Sequence, residues 1–220
     1  MATLNQIAAS YCDSVNKPFD ILLRERVKFS IKYWRAKLIR QDFERNPPDR
    51  SVVQSIVMPL SSIDAADSCL VVGGCKLLRT TNKVPRPVVI KNASPFFYVG
   101  PVVFSCDDNL PFSHATRTEI EFSQYKANTS KAIRYMYHNG YIYVTDCLRR
   151  YIRVDHPFED PFAAMESCVD GGNCVDDDTE FPISGHMLDT ILRGLQTAEL
   201  RMFTDDREVK IEEEAPTPRR

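Results

Sequence analysis

The hydrophobic periodicity of this chain changes at Asn46-Pro47-Pro48, and no other feature constrains the fold as strongly. Before this point, apolar residues recur at steps of three and four, which is typical of helices packed on one side. Beyond it, alternation of apolar and polar residues predicts β-strands. Because a proline disfavours helical backbone in the residue before it, the proline pair ends the helical part. The sequence therefore predicts an α+β fold.

Two helices are predicted before the boundary. The first covers about residues 4–15, where Thr3 and Gln6 fit a capping box. The second covers about residues 18–45 and should be the long N-terminal helix that packs on the sheet. Its predicted buried stripe is Leu23, Val27, Ile31, Trp34 and Leu38, widened by Phe19, Leu22, Phe29, Tyr33 and Phe43.

Residues 51–147 are expected to form a largely antiparallel sheet or barrel. Residues 133–144 should form a hairpin, because Asn139-Gly140 is a preferred type I′ turn. Further strands are predicted over 51–60, 69–72, 75–80 and 118–125.

The C-terminal part is predicted to contain a surface loop over about 155–180 and a closing helix over 184–203, capped by Ser184. We expect residues 1–204 to form one domain and residues 205–220 to form a polar tail.

A proline-studded stretch, residues 79–101, interrupts the predicted strands. Its four prolines and many β-branched and aromatic residues favour extended backbone over helix. Two interpretations remain open: an extended arm that binds another molecule, or an internal edge strand with irregular loops.

Composition excludes several classes of protein. The formal net charge of −2 is unlike that of a bulk nucleic-acid binder. No apolar run approaches the roughly 20 residues that span a membrane, and the N-terminus lacks the pattern of a secretory signal. The seven cysteines include no CxxC pair, so we expect free thiols in a reducing compartment.

None of the motifs predicts catalysis, a cofactor or a metal. Gly73-Gly74 does not lead into a helix, as a phosphate loop requires. Cys147 with His156 or His138 could form a nucleophile–base pair, but nothing in the sequence brings them together. The acidic stretch over 170–180 lacks the ligand order of an EF-hand.

The long helix is strongly basic, and three interpretations of this charge remain open. It could be a solvated face, a DNA-channel contact, or a partner for acidic residues of a neighbouring copy. The DNA- or partner-facing candidates are Arg24, Lys28, Lys32, Arg35 and Arg40, and the acidic interface candidates are Asp176, Asp177 and Asp178, with Glu212, Glu213 and Glu214 in the tail. An alternative function is a nucleic-acid-binding module that combines helix 18–45 with stacking by the tyrosine-rich hairpin 133–144.

Three segments together carry a resemblance to a known family. They are DILLRERVKFSIKYWRAKLIRQDFERNP, CKLLRTTNKVPRPVVIKNASPFFYVGP and RYMYHNGYIYV. From about residue 18 to 203, the chain resembles virion structural proteins of crAss-like phages, which are short-tailed phages of Bacteroides-type gut bacteria. It is most similar to the ring proteins that stack beneath the portal to form the neck and tail barrel.

The resemblance implies a non-enzymatic virion protein, assembled in the host cytoplasm into a homo-oligomeric ring of the neck or tail. The implied ring is twelvefold to match the portal, contacts the portal or adjacent tail rings, and surrounds a channel that DNA crosses. Ring contacts join different patches of successive copies and favour extended arms. If residues 79–101 are an extended arm, the residues that dock on a neighbouring copy are Val88, Val89, Ile90, Phe96, Phe97, Tyr98 and Val99.

Overall fold

The computed structural model describes residues 2–44, 50–63, 77–91, 93–102, 110–123, 133–145, 147, 149–167 and 175–197. The helices are α1 (Leu4–Ser14), α2 (Ile21–Phe43), α3 (Arg117–Ser123), α4 (Pro161–Glu166) and α5 (185–197). The strands are β1 (Gln54–Ser62), β2 (Leu77–Thr80), β3 (Tyr98–Pro101), β4 (Ser113–His114), β5 (Arg134–His138), β6 (Tyr141–Thr145) and β7 (Tyr151–His156). The α+β prediction is confirmed.

The strands form one mixed sheet in the order β3-β7-β1-β2-β6-β5-β4. Every pairing is antiparallel except the short parallel pair of β4 with β5. The Phe112 N–H, next to β4, donates to the Val99 carbonyl of β3 at 2.7 Å. Because this bond joins the two ends of the strand order, the sheet is nearly closed as a barrel.

Local chemistry explains two features of the sheet. β1 pairs with β7 as far as Pro59 and with β2 from Leu60, so the strand changes partner at a residue that cannot donate a ladder hydrogen bond. The hairpin of β5 and β6 turns at Asn139 and Gly140, whose φ angles are 51° and 84°. A type I′ turn requires both values to be positive, which confirms the predicted turn.

The described residues contain two large apolar cores. The barrel core includes Ile56, Ile142, Val154 and Phe158. The helical core joins α1, α2 and α5 around residues such as Ile7, Ile31, Phe181 and Ile191. The contact between the two parts includes Arg35 of α2, which donates to the Phe158 carbonyl beside the barrel core.

The helix starts follow from capping. Thr3 and Gln6 form the predicted capping box of α1. α2 begins at Ile21 rather than near residue 18, because the Asp20 carboxylate accepts the Leu23 N–H at 2.9 Å. α5 begins after Ser184, and the predicted continuation to 203 lies outside the described residues.

Two predictions of secondary structure are corrected. Residues 117–123, which overlap the predicted strand 118–125, form α3, because Thr116 and Glu119 cap its first turn reciprocally. The predicted loop over 155–180 contains the end of β7 and α4, whose N-cap is Asp160 and whose first residue is a proline. The predicted strand 69–72 lies outside the described residues, and the division into domain 1–204 and tail 205–220 stays a prediction.

Candidate functional site: the outer face of the long helix

One side of α2 packs against the helical core. Its buried residues are Leu23, Val27, Ile31, Arg35 and Ile39, which recur at steps of four. Trp34 and Leu38, which were predicted to belong to this stripe, are half-buried at its edge. The buried stripe is therefore narrower than the sequence suggested, and it contains one arginine.

The opposite side of α2, with the residue just before the helix cap, is apolar and exposed. We call this surface the outer face of α2, and it consists of Phe19, Ile21, Leu22, Phe29 and Tyr33. The exposed fractions are 94% for Phe19, 84% for Leu22 and 73% for Phe29. At about 100° per residue, Leu22 and Phe29 point in nearly the same direction, and Ile31 points roughly 180° away.

The outer face corrects the prediction that Phe19, Leu22, Phe29 and Tyr33 widen the buried stripe. Large apolar side chains scattered singly over a surface need no explanation, but several of them on one side of a helix mark a candidate interaction site. Aromatic residues bury roughly 150–250 Å² each when they are covered, so this group offers a large area to a partner. The outer face is the strongest candidate site among the described residues.

Positive charge borders the outer face. Arg26, Lys37 and Arg40 are exposed on the same side of α2. A groove of about 730 Å³ lies between this side of α2 and the segment around Glu159 and Asp160. A partner of this surface should therefore combine apolar side chains with carboxylates.

The prediction that Arg35 faces DNA or a partner is corrected, because the side chain of Arg35 is fully buried. Its Nε donates to the Pro182 carbonyl at 2.7 Å, and Nη1 donates to the Phe158 carbonyl at 2.8 Å. Burial lowers the pKa of its guanidinium to about 10. Arg35 thus joins α2 to the segments that follow β7 and precede α5.

The four other basic candidates lie nearer the surface, and two of them pair within the chain. Lys28 binds Asp177 at 2.7 Å, and Lys32 binds Asp160 at 3.1 Å. Arg24 is half-buried beside the Asn5 carbonyl, whereas Arg40 is exposed. A role in contacting DNA stays a prediction.

The acidic candidates also have contacts within the chain. Asp177 accepts from Lys28, and Asp178 accepts the Asn5 amide at 2.7 Å. Asp176 accepts the Asp178 N–H and the Thr179 hydroxyl, which shapes the local turn. These contacts reduce the capacity of the loop to bind a neighbouring copy, and its interface role stays a prediction.

The predicted arm is divided between interior and surface. Val88, Phe96 and Val99 are each 1% exposed, so they pack inside the chain and are not accessible to a partner in this conformation. Ile90 and Tyr98 are half-buried. Only Val89 and Phe97 are open, at 63% and 39% exposed. Tyr98 and Val99 belong to β3 at one end of the sheet order, and both interpretations of the stretch stay open.

The tyrosine-rich hairpin offers little surface for stacking bases. Tyr135 and Tyr143 are buried, at 2% and 5% exposed, and the Tyr135 hydroxyl bonds to Ser94 at 2.8 Å. Tyr141 is half-buried, with the Arg79 guanidinium over its ring at 4.6 Å. The hairpin is therefore mainly a packing element of the barrel.

The groups considered for catalysis have structural surroundings. His156 Nε2 bonds to the Val88 carbonyl at 2.9 Å, and burial lowers the pKa of the ring to about 4. Burial also raises the pKa of the Cys147 thiol. Within the described ranges, no three His, Cys, Asp or Glu side chains cluster as metal ligands, and no helix could cross a membrane.

Comparison with protein families identifies a match over most of the chain. A family model described as phage tail ring protein 2, with the short name CrAss_Ring_2, matches residues 5–213. A search of curated proteins gives no significant match. The matched range includes α2 with its whole outer face, the barrel and α5.

Proposed function

The chain belongs to the phage tail ring protein 2 family, and from that premise we propose that copies of it close into a ring through the outer face of α2. The family description makes the protein a structural component of the phage tail, and hence of the virion. Beyond the family description, we propose that the copies bind one another, that the outer face mediates this contact, and that the role of the protein is non-enzymatic. The observation that carries it is the exposed apolar outer face.

A ring with rotational symmetry places specific demands on each subunit. Successive copies meet through two different patches, and the rotation between them must close the circle. The outer face of α2 supplies one such patch, because its five residues are large, apolar and exposed, and four of them are held on a rigid helix of 23 residues. A patch on a helix keeps a constant direction, which a closed ring needs.

The energies are consistent with this role. Covering one large apolar side chain contributes about 1.5–3 kcal/mol. Association costs roughly 4–15 kcal/mol in lost translational and rotational freedom. One exposed residue could not offset that cost, but the five of the outer face together could. The rim of positive charge would set the orientation of the neighbour more than the affinity.

The second patch of each subunit is a further part of the proposal. Val89 and Phe97 are the exposed members of the predicted arm, with Ile90 and Tyr98 half-buried beside them. Phe97 lies at the C-terminal end of α2, where its ring is 5.2 Å from that of Phe43. These residues stay candidates for contact with a neighbouring copy.

The position of the ring in the particle is proposed from the resemblance to neck and tail-barrel proteins. We assign it to the neck or tail below the portal, with twelve copies to match the portal and a channel that the genome crosses. The portal or adjacent tail rings would be its vertical neighbours. Exposed basic residues such as Arg40 could line the channel or face a neighbour.

Native mass spectrometry and electron microscopy of the purified full chain test the ring. We expect a closed oligomer at micromolar concentration for the wild type, and loss of that oligomer for Leu22→Ser combined with Phe29→Ser. Leu110→Ser is a matched control, because Leu110 is 83% exposed and Leu22 is 84% exposed. A monomeric wild type, or a double variant that assembles normally, would refute the proposal.

A further inference from the structure

We propose that the C-terminal segment 201–214 of one copy binds the outer face of α2 on the next copy. This inference rests on the proposed ring and identifies the part of the neighbour that fills the patch. It starts from the chemistry of the outer face, which combines exposed Leu22, Phe29 and Tyr33 with exposed Arg26, Lys37 and Arg40.

The sequence of segment 201–214, RMFTDDREVKIEEE, has the complementary chemistry. It contains four large apolar residues, Met202, Phe203, Val209 and Ile211. It also contains six carboxylates against three cations. Apolar side chains can cover the helix face while the excess carboxylates meet the cationic rim, and opposite potentials favour this orientation over others.

Two acidic groups that contact α2 from elsewhere in the chain already have partners. Asp177 binds Lys28 within the chain, and Asp160 binds Lys32. The C-terminal segment is therefore the acidic stretch that the sequence leaves for the outer face. Among the described residues, no other exposed apolar group forms a stripe as long as the outer face.

The course of α5 brings the start of the segment close to α2 but not to its outer face. His186 Nε2 is 3.9 Å from an Asp42 carboxylate oxygen, and Gly194 packs beside the Trp34 ring. α5 thus runs back along α2, and residue 197 leaves the described fold near the middle of that helix. Trp34 points about 120° away from Leu22 around the helix axis, so the outer face looks away from α5.

The C-terminal segment is long enough to bind either α2 of its own copy or α2 of the next copy. An extended chain covers about 3.3 Å per residue, so residues 198–214 could span roughly 55 Å. Exchange of the segment between copies suits a ring, because each copy then offers a segment on one side and a helix face on the other. Binding within one copy would instead cover the face and leave the ring without this contact.

Photo-crosslinking of the full chain tests both the site and the direction. Phe203→p-benzoylphenylalanine places a crosslinker of similar shape in the segment, and equal amounts of isotopically light and heavy protein are mixed before irradiation. We expect crosslinks to peptides of α2 around Leu22 and Phe29, with light–heavy pairs among them. Crosslinks within single copies only, or crosslinks that miss α2, would overturn the proposal.

Assembly measurements separate this inference from the ring itself. Phe203→Ser with Ile211→Ser should raise the concentration for half-assembly at least about tenfold, and Leu110→Ser should leave it nearly unchanged. If the tail variant forms rings as readily as the wild type, the segment is not the partner, although the ring proposal stands. If the wild type forms no ring, the ring proposal fails whatever the crosslinks show.

Discussion

Lys28 Nζ lies 2.7 Å from an Asp177 carboxylate oxygen of the same chain. This ion pair connects α2 to the segment before α5, across a sequence separation of 149 residues. The sequence had suggested that the basic helix and the acidic loop join different copies. The structure pairs Lys28 with Asp177 within one chain, so these two charges stabilise the fold of the subunit.

The first prediction concerns this ion pair. Burial alone would lower the pKa of Lys28, but hydrogen bonds to Asp177 and Glu25 raise it overall. Because the pair is only partly buried, Asp177→Asn should reduce the free energy of unfolding by about 1 kcal/mol or less. Urea denaturation of a double-mutant cycle with Lys28→Met measures the coupling. Slower ring assembly at low salt in Asp177→Asn, with unchanged stability, would show that Asp177 acts between copies instead.

The second prediction concerns the buried Arg35. Arg35→Ala leaves a cavity and removes the donors to the Phe158 and Pro182 carbonyls. We expect a loss of about 3 kcal/mol or more in the free energy of unfolding. Arg35→Met keeps most of the packing and relieves the burial of a charge, so about 1 kcal/mol should be lost. Thermal and urea denaturation measure the stability of the two variants. Arg40→Ala is the control, because Arg40 is exposed, and it should change the free energy of unfolding by no more than about 0.5 kcal/mol. Equal stability of Arg35→Ala and the wild type would contradict the role of Arg35 as a connector.

The third prediction is a pH dependence that arises from His156. Its folded pKa is about 4, whereas an unperturbed histidine titrates near 6.5. Between these values the unfolded chain binds a proton that the folded chain does not, so stability falls as the pH is lowered from 6.5 to 4. The full loss from this group is about 3 kcal/mol, and its contribution is complete above about pH 6.5.

Urea unfolding from pH 7.5 to 4.5 measures this dependence. His156→Gln can still donate to the Val88 carbonyl but cannot titrate, so it should flatten the slope below pH 6.5. His138→Gln at the exposed hairpin turn is the matched control and should keep the slope. Equal slopes for the wild type and His156→Gln would mean that His156 has the same pKa in the folded and the unfolded chain, and would contradict this prediction.

The features that the sequence predicted correctly depend on short-range chemistry. Thr3 with Gln6 caps α1, and Asn139 with Gly140 takes the positive φ angles of a type I′ turn. Both depend on backbone groups within a few residues, so the sequence contains all the information needed. The period change at Asn46-Pro47-Pro48 likewise separates α2 from the strands.

The errors arose where a pattern allows two structures. The run around Ile120 alternates like a strand, yet residues 117–123 are helical. A short apolar run cannot distinguish the two, and the signal that was missed is the capping pair of Thr116 and Glu119. Similarly, the apolar residues of α2 were assigned to one broad face. A helical wheel separates Leu22 and Phe29 from the stripe and places Arg35 in it.

The last prediction separates the two interpretations of the stretch over 79–101, using adjacent phenylalanines that face opposite ways. Phe96 is 1% exposed, with its ring 5.1 Å from that of Tyr137. Phe96→Ser should therefore reduce the free energy of unfolding by about 3–5 kcal/mol, whether or not the copies assemble into a ring. Phe97 is 39% exposed, so Phe97→Ser should cost only about 1 kcal/mol and leave a folded subunit.

The arm interpretation requires Phe97 to contact a neighbouring copy. Phe97→Ser should then raise the concentration for half-assembly several-fold while its unfolding midpoint stays near that of the wild type. Phe96→Ser should impair assembly only in proportion to the fraction of chains it unfolds, which circular dichroism measures in the same samples. Tyr151→Ser provides the surface control, because Tyr151 is exposed at 45%, close to the value for Phe97. If Phe97→Ser and Tyr151→Ser both assemble like the wild type, the prolines serve only the irregular edge of the barrel, and the neighbouring copy binds elsewhere.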